Sequence, residues 1–162
     1  MIIRQARLED APAIAAITNA IIRDTLVTFT TVERGADAIA ADIEARGNSY
    51  LVAEQDGQVV GFATYGPFRA GPGYARCAEH TIQLAPAGRG HGAGRALMSA
   101  LERVARRAGI HVLIAGISST NPAAIEFHSA IGFRQVGRMP EVGRKWDQWL
   151  DLVLMQKIID PQ

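Results

Sequence analysis

The chain has one cysteine, Cys77. One thiol cannot close a disulfide within a chain, so a disulfide scaffold is excluded and a reducing cytoplasm is the expected compartment. A surplus of one charge sign is also missing. Lys and Arg total 17 against 16 Asp and Glu, for a formal net charge of +1. The cations form no run, so charge points to neither nucleic acid nor a membrane surface as a partner. No apolar stretch reaches the ~20 residues of a membrane span. The opening MIIRQARLED lacks the basic start and long apolar segment of a signal peptide. The histidines stand in no metal-ligand spacing with Cys or acids, so no metal is expected.

What is present suits one globular domain over 1–162. Of the 162 residues, 48% are hydrophobic and 20% charged, enough for a proper core. A strand is expected at 2–6. A helix should follow, with Asp10 as N-cap, Pro12 in its first turn and Ile14, Ile17, Ile21 and Ile22 at helical spacing. A second helix is expected over 35–46, ending at Gly47. Asp56-Gly57 signals a hairpin between strands at 49–55 and 58–66. Gly-Pro punctuation marks a loop near 66–73, before a strand from Cys77 to Ala85.

Beyond 85 comes PAGRGHGAGRAL, with four glycines in seven residues. A helix follows on the stripe Ala96, Leu97, Ala100, Leu101, Val104 and Ala108, with Glu102 among the charges elsewhere and Gly109 at its end. HVLIAGI reads as a buried strand. Asn121-Pro122 opens another helix that Gly132 closes, and WLDLVLMQKI at 149–158 reads as a final strand or pair. The order β-α-α-β-β-β-(Gly loop)-α-β-α-β-β predicts an α/β domain with a mixed central sheet flanked by helices.

Glycines between a strand and a helix can turn backbone N–H groups toward an anion at the positive end of the helix dipole. A Walker A loop needs Lys followed by Ser or Thr, which is absent here. Gly88, Gly90 and Ala93 match a Rossmann GxGxxA. That motif calls for an acid about 20 residues on, and no Asp or Glu occurs between Arg103 and Pro122. The third pattern, Gln/Arg-x-x-Gly-x-Gly/Ala, is filled by Arg89, Gly92 and Gly94. A second motif follows in NPAAIEFHSAIGF: Asn121, His128, then Gly132-Phe133.

On these two motifs the chain resembles the GNAT superfamily of N-acetyltransferases. The segments GPFRAGPGYARCAEHTIQL, IHVLIAGI and WLDLVLMQ are similar to those of the phosphinothricin and methionine sulfone–sulfoximine acetyltransferases. The resemblance implies acetyl-CoA as co-substrate, a small amine as acceptor and a homodimer. It also leaves open protein N-terminal or lysine acetylation, or acyl-CoA binding without catalysis.

Attack of an ammonium on a thioester needs a proton acceptor and donors for the oxyanion. Glu79, among apolar neighbours, is the expected base; the alternative is a Glu paired with an Arg for stability. The resemblance makes His128 a general acid toward the thiolate, against a ring that only lines the pocket. It assigns the backbone of Ile82, Gln83 and Leu84 to the pantetheine. It assigns Arg89, Gly90, His91, Gly92, Ala93, Gly94 and Arg95 to the pyrophosphate. Asn121 is a cofactor contact, a helix cap, or both. Phe29, Arg69, Tyr74 and Thr81 are the expected substrate residues, with Gly71 standing where phosphinothricin enzymes carry a second basic residue. His80 and His111 read as structural, and Trp146 and Trp149 as core or dimer interface, with Trp149 within possible reach of the pocket.

Overall fold

The computed structural model describes residues 1–159. Its elements are β1 (Ile2–Gln5), α1 (Ala11–Asp24), α2 (Ala36–Arg46), β2 (Tyr50–Gln55), β3 (Gln58–Pro67), β4 (Cys77–Leu84), α3 (Ala93–Arg107), β5 (Val112–Ser118), α4 (Pro122–Ala130), β6 (Arg134–Lys145) and β7 (Gln148–Ile158). The order of strands and helices is the expected one. The strands form one seven-stranded sheet in the order β1-β2-β3-β4-β5-β7-β6. Only β4 and β5 pair in parallel; the other pairs are antiparallel.

Alternation along the strands sends side chains to two cores. On one face Val52 and Phe62 meet Ile14 and Ile17 of α1 and Ile39 and Ile43 of α2. On the other, Ala63, Leu113, Ala115 and Val153 meet Leu97, Met98 and Leu101 of α3. Each large aliphatic side chain buried this way contributes ~1.5–3 kcal/mol of transfer free energy.

Four local expectations are narrowed or corrected. Asp10 precedes α1 but makes no side-chain cap bond there. Its carboxylate instead accepts from Arg4 at 2.7 and 2.9 Å and from the Arg7 N–H at 2.7 Å; a charged, forked donor outcompetes a helix N–H. The buried line of α3 runs through Leu97, Met98, Leu101, Glu102 and Ala105, while Ala108 is exposed. Glu102 tolerates burial because Lys157 donates to it at 2.7 Å and Arg106 at 3.2 Å. Of the two readings of 149–158, the single strand holds: β7 covers that run, and the other strand of the final pair, β6, precedes it. Trp146 and Trp149 are not core. They are 49% and 58% exposed, and Trp149 carries the Arg144 guanidinium 4.6 Å above its ring.

Candidate active site

β4 and β5 stay paired for three residues only, Cys77↔Val112, Ala78↔Leu113 and Glu79↔Ile114. β4 then continues to Leu84 and β5 to Ser118, so the two strands part inside the sheet. The backbone groups of β4 alternate in direction. The Cys77 carbonyl accepts from Phe68 and the Ala85 N–H donates to Val60, so odd-numbered residues face β3. Ile82 and Leu84 therefore aim N–H and C=O into the opening that β5 has left. The same alternation holds in β5. The His111 carbonyl accepts from Ile159 and the Ser119 N–H donates to Asp151, which leaves Gly116 and Ser118 facing the opening. Backbone groups with no strand to pair with need another partner.

A cavity of about 870 Å³ occupies this fork. Glu79, at the last paired position, lines it together with Thr81, Ile82, Gln83 and Leu84. The Glu79 carboxyl lies across Gly116, where a Cβ would stand 2.9 Å from Oε1. Although it is reachable by solvent, the cavity walls dry it enough to raise its pKa above the ordinary glutamate value. Among the described residues no basic group is hydrogen-bonded or ion-paired to it, so the expected alternative of a stabilising Glu–Arg pair is not seen there. Gln83 is turned toward α1, where its Oε1 accepts from the Thr18 hydroxyl at 2.8 Å.

The glycine loop closes one end. Arg89, Gly90 and Gly94 line the cavity. Gly90 and Gly92 have φ of +78° and +80°, the left-handed region that glycine enters without steric cost. Ala96 donates to the Gly92 carbonyl; ahead of it, Ala93, Gly94 and Arg95 form the first turn of α3 with no side-chain cap. Their N–H groups are the uncapped donors that an anion accepts. Gly94 packs closely on α4: a Cβ there would stand 3.3 Å from the Phe127 ring. His91 and Arg95 point outward and are exposed, and the Ala93 methyl is buried in the core. Asn121 caps α4, its Oδ1 accepting from Ala124 at 3.2 Å, and it also lines the cavity.

His128 lines the cavity from α4 but is itself buried. Its Nδ1 lies 2.7 Å from the Ala124 carbonyl oxygen. A carbonyl only accepts, so Nδ1 carries the hydrogen and the neutral ring has a lone pair at Nε2. The Nε2 of His80 lies 2.9 Å from that atom and must therefore be the donor. This leaves His80 Nδ1 bare, which matches its being the buried side-chain atom without a partner among the described residues. Burial lowers the pKa of both rings, that of His80 to about 3 with His128 adding to the effect. Both stay neutral at pH 7. His80, expected to be merely structural, thus occupies one nitrogen of His128 while Ala124 occupies the other.

The amine end is mixed. Phe29 and Thr81 line the cavity, joined by Thr25, Val27, Thr28 and Leu152. Arg69 and Tyr74 do not line it. They sit on the exposed loop between β3 and β4, where the Arg69 guanidinium lies 5.5 Å above the Tyr74 ring. His111 precedes β5 outside the cavity. Nothing in sequence spacing foretells Gly116 or the pairing of His80 with His128, since both depend on which strand and helix meet. Among the described residues no cluster of His, Cys, Asp or Glu could hold a metal ion, and no helix is long and apolar enough to cross a membrane.

The fork, its bare β4 edge and the uncapped start of α3 suit an extended ligand with an anionic end. Comparison with known proteins agrees. A family model described as acetyltransferase (GNAT) family matches residues 15–133. The L-methionine sulfoximine/L-methionine sulfone acetyltransferase of Salmonella typhimurium is 40% identical, over 99% of this chain and 95% of its own. The phosphinothricin N-acetyltransferase of Alcaligenes faecalis is 35% identical, over 96% of this chain and 81% of its own. A Salmonella typhimurium acetyltransferase solved with its cofactor acetyl-CoA superposes with a TM-score of 0.94 at 39% identity, covering 100% of this chain and 95% of that one. A ribosomal-protein-alanine N-acetyltransferase from Brucella melitensis gives a TM-score of 0.93 at 40% identity, covering 98% and 99%. With the matched model spanning both the glycine loop and the Asn121–Phe133 motif, the chain belongs to the acetyltransferase (GNAT) family.

Proposed function

We propose that this enzyme transfers acetyl from acetyl-CoA to the α-amine of a small amino-acid analogue of the methionine sulfone, methionine sulfoximine or phosphinothricin type. The observation that supports this most is the fork itself: Glu79 stands where β4 and β5 part, next to the bare N–H and C=O groups of Ile82 and Leu84. Acetyl-CoA supplies the acetyl group as an activated thioester. Ile82 and Leu84 hold its pantetheine arm in the manner of a strand pairing with β4. Arg89 and the N–H groups at the start of α3 take the pyrophosphate charge.

Glu79 accepts a proton from the substrate ammonium, directly or through one water. The freed amine lone pair forms the N–C bond, the nitrogen gives its second proton to water, the C–S bond breaks, and sulfur leaves with the electron pair as the thiolate that this proton neutralises. The Ile82 N–H offers a hydrogen bond where negative charge develops on the acyl oxygen. His128 has no general-acid role in this reaction scheme. Both of its nitrogens are committed, and a neutral imidazole has no surplus proton to give. The departing thiolate takes its proton from water, and His128 shapes the wall. Phe29 and Thr81 bound the amine end. Arg69 and Tyr74 reach the substrate only on inward movement of their loop, and a raised amine KM in Arg69→Ala would report that movement.

The test is thiol release from acetyl-CoA against methionine sulfone, methionine sulfoximine, phosphinothricin, ordinary amino acids and peptides. Turnover on any of the first three supports the reading; silence on all three with acetyl-CoA bound overturns the substrate class. The name of the Brucella melitensis structure favours a second reading, acetylation of a protein N-terminus. That reading requires alanine-ended peptides to outcompete free amino acids. We also propose a cytoplasmic homodimer. Its support is the exposed apolar surface of β6 and β7, where Val136, Met139, Val142 and Trp149 remain open to solvent.

A further inference from the structure

Lys145 is 2% exposed, and no carboxylate partners it among the described residues. Its ammonium instead donates to three backbone carbonyls, Ile22 at 2.6 Å, Thr25 at 2.7 Å and Thr28 at 3.2 Å. The first belongs to the last turn of α1, whose carbonyls lack helical partners. The other two belong to the irregular segment that follows. All three ammonium donors are spent on one short stretch more than a hundred residues earlier in the chain. A cation buried without a carboxylate is costly unless its donors are met, so the ammonium ties these three carbonyls to β6.

What it holds carries Phe29. Two residues before Lys145, Gly143 lies flat beneath the Phe29 ring; a Cβ built at Gly143 would fall 2.6 Å from Phe29 Cε2 and 2.7 Å from Cγ. One short piece of β6 therefore fixes the segment twice, by its backbone through Lys145 and by its ring through Gly143. Thr25, Thr28 and Phe29 all line the cavity, whereas neither Gly143 nor Lys145 does.

We propose that Gly143 and Lys145 are the positioning residues that set amine selectivity, by holding Phe29 at one depth in the acceptor half of the cavity. The inference rests on the proposed acetyl transfer to a small amine. Gly143→Ala leaves every Lys145 hydrogen bond intact and drives the ring off its seat toward the cavity. The amine KM should rise at least tenfold while the acetyl-CoA Kd stays within twofold, because the glycine loop and the β4 edge are untouched. Removing the ring should remove the effect: in a Phe29→Ala background, adding Gly143→Ala should change the amine KM less than twofold. Lys145→Met should speed hydrogen exchange of the 26–30 amides and shrink the KM ratio between methionine sulfone and a bulkier amino acid.

Additive effects of Gly143→Ala and Phe29→Ala, or parallel loss of acetyl-CoA affinity, would overturn the proposal. So would unchanged exchange at 26–30 in Lys145→Met. If the unmodified enzyme turns over none of the amines, the functional reading has failed instead, and the exchange measurement still decides whether Lys145 clamps the loop.

Discussion

At the scale of single residues, the chemistry turns on how burial treats two kinds of acid–base group. Burial raises the pKa of Glu79, so its carboxylate becomes available later in a rising pH series than an ordinary glutamate would. The acidic limb of kcat/KM should rise with pH through a midpoint above 4.5, the ordinary glutamate value, and Glu79→Gln should abolish that limb with a loss of ~10²–10⁴-fold in rate. Gly116→Ala tests placement without removing the group. The added methyl meets Oε1, so kcat should fall while the fold and acetyl-CoA binding persist.

The histidines respond in the opposite direction. The folded-state pKa of His80 is depressed to about 3, so between about pH 6.5 and 3 the unfolded chain binds more protons than the folded one. Stability is therefore retained above the unfolded value and lost as pH falls through this window, on the order of a few kcal/mol in all. Thermal unfolding from pH 7 to 5 should show this loss, and His80→Gln should flatten it. Nitrogen-15 NMR of His128 should find hydrogen on Nδ1, a lone pair on Nε2 and a titration displaced below the ordinary histidine value.

At the scale of elements, turns and helix starts carry the predictions. Gly90 and Gly92 have open space where a Cβ would go, so Ala there costs only the left-handed backbone, ~1–2 kcal/mol. Chemical denaturation should read that cost, with weaker acetyl-CoA binding beside it. Gly88→Ala should be worse, since its Cβ would stand 2.6 Å from the Val60 carbonyl oxygen. The β6–β7 hairpin turns at Trp146 and Asp147, with φ of +49° and +60° and no glycine. Asp147→Gly should raise stability by several tenths of a kcal/mol, because the lost Arg144 ion pair is exposed and worth little.

Much of this level was legible in the sequence. Asp56-Gly57 makes the expected hairpin, Gly47 ends α2, and Asn121 starts α4 as its cap. Such signals are local: a φ angle or a side-chain bond within four residues. The bounds of β6 are not legible in the sequence, because its turn lacks glycine and its side chains are mostly exposed, so neither turn chemistry nor alternation marks them. The buried face of α3 was off by part of a turn, since a glutamate counted as polar is neutralised by Lys157 from a distant strand.

At the scale of the whole molecule, Glu102 and Lys157 tie α3 to β7 and, through the Ile131 carbonyl, to the end of α4. Removing one partner leaves the other charge partly buried and unpaired. Glu102→Ala should cost about 3 kcal/mol, read as an earlier midpoint in urea. Because that bridge lies on the face of α3 away from its N-terminus, acetyl-CoA should restore stability to the variant as to the parent, by about 2.7 kcal/mol at a hundredfold excess over Kd.

The sequence by itself determined the element order, the place of the glycine loop between β4 and α3, the family through its two motifs, and Glu79 as a carboxyl among apolar neighbours. Each of these depends on residues close together in the chain, where backbone geometry and helical or strand periodicity act directly. Only the tertiary structure decided that β4 and β5 part after three pairs, that His80 engages His128, that Arg69 and Tyr74 lie outside the cavity, and that Lys145 and Gly143 hold the loop bearing Phe29. Those facts depend on contacts across tens to more than a hundred residues, where packing and the pairing of buried polar groups choose among arrangements that local propensity treats as equal.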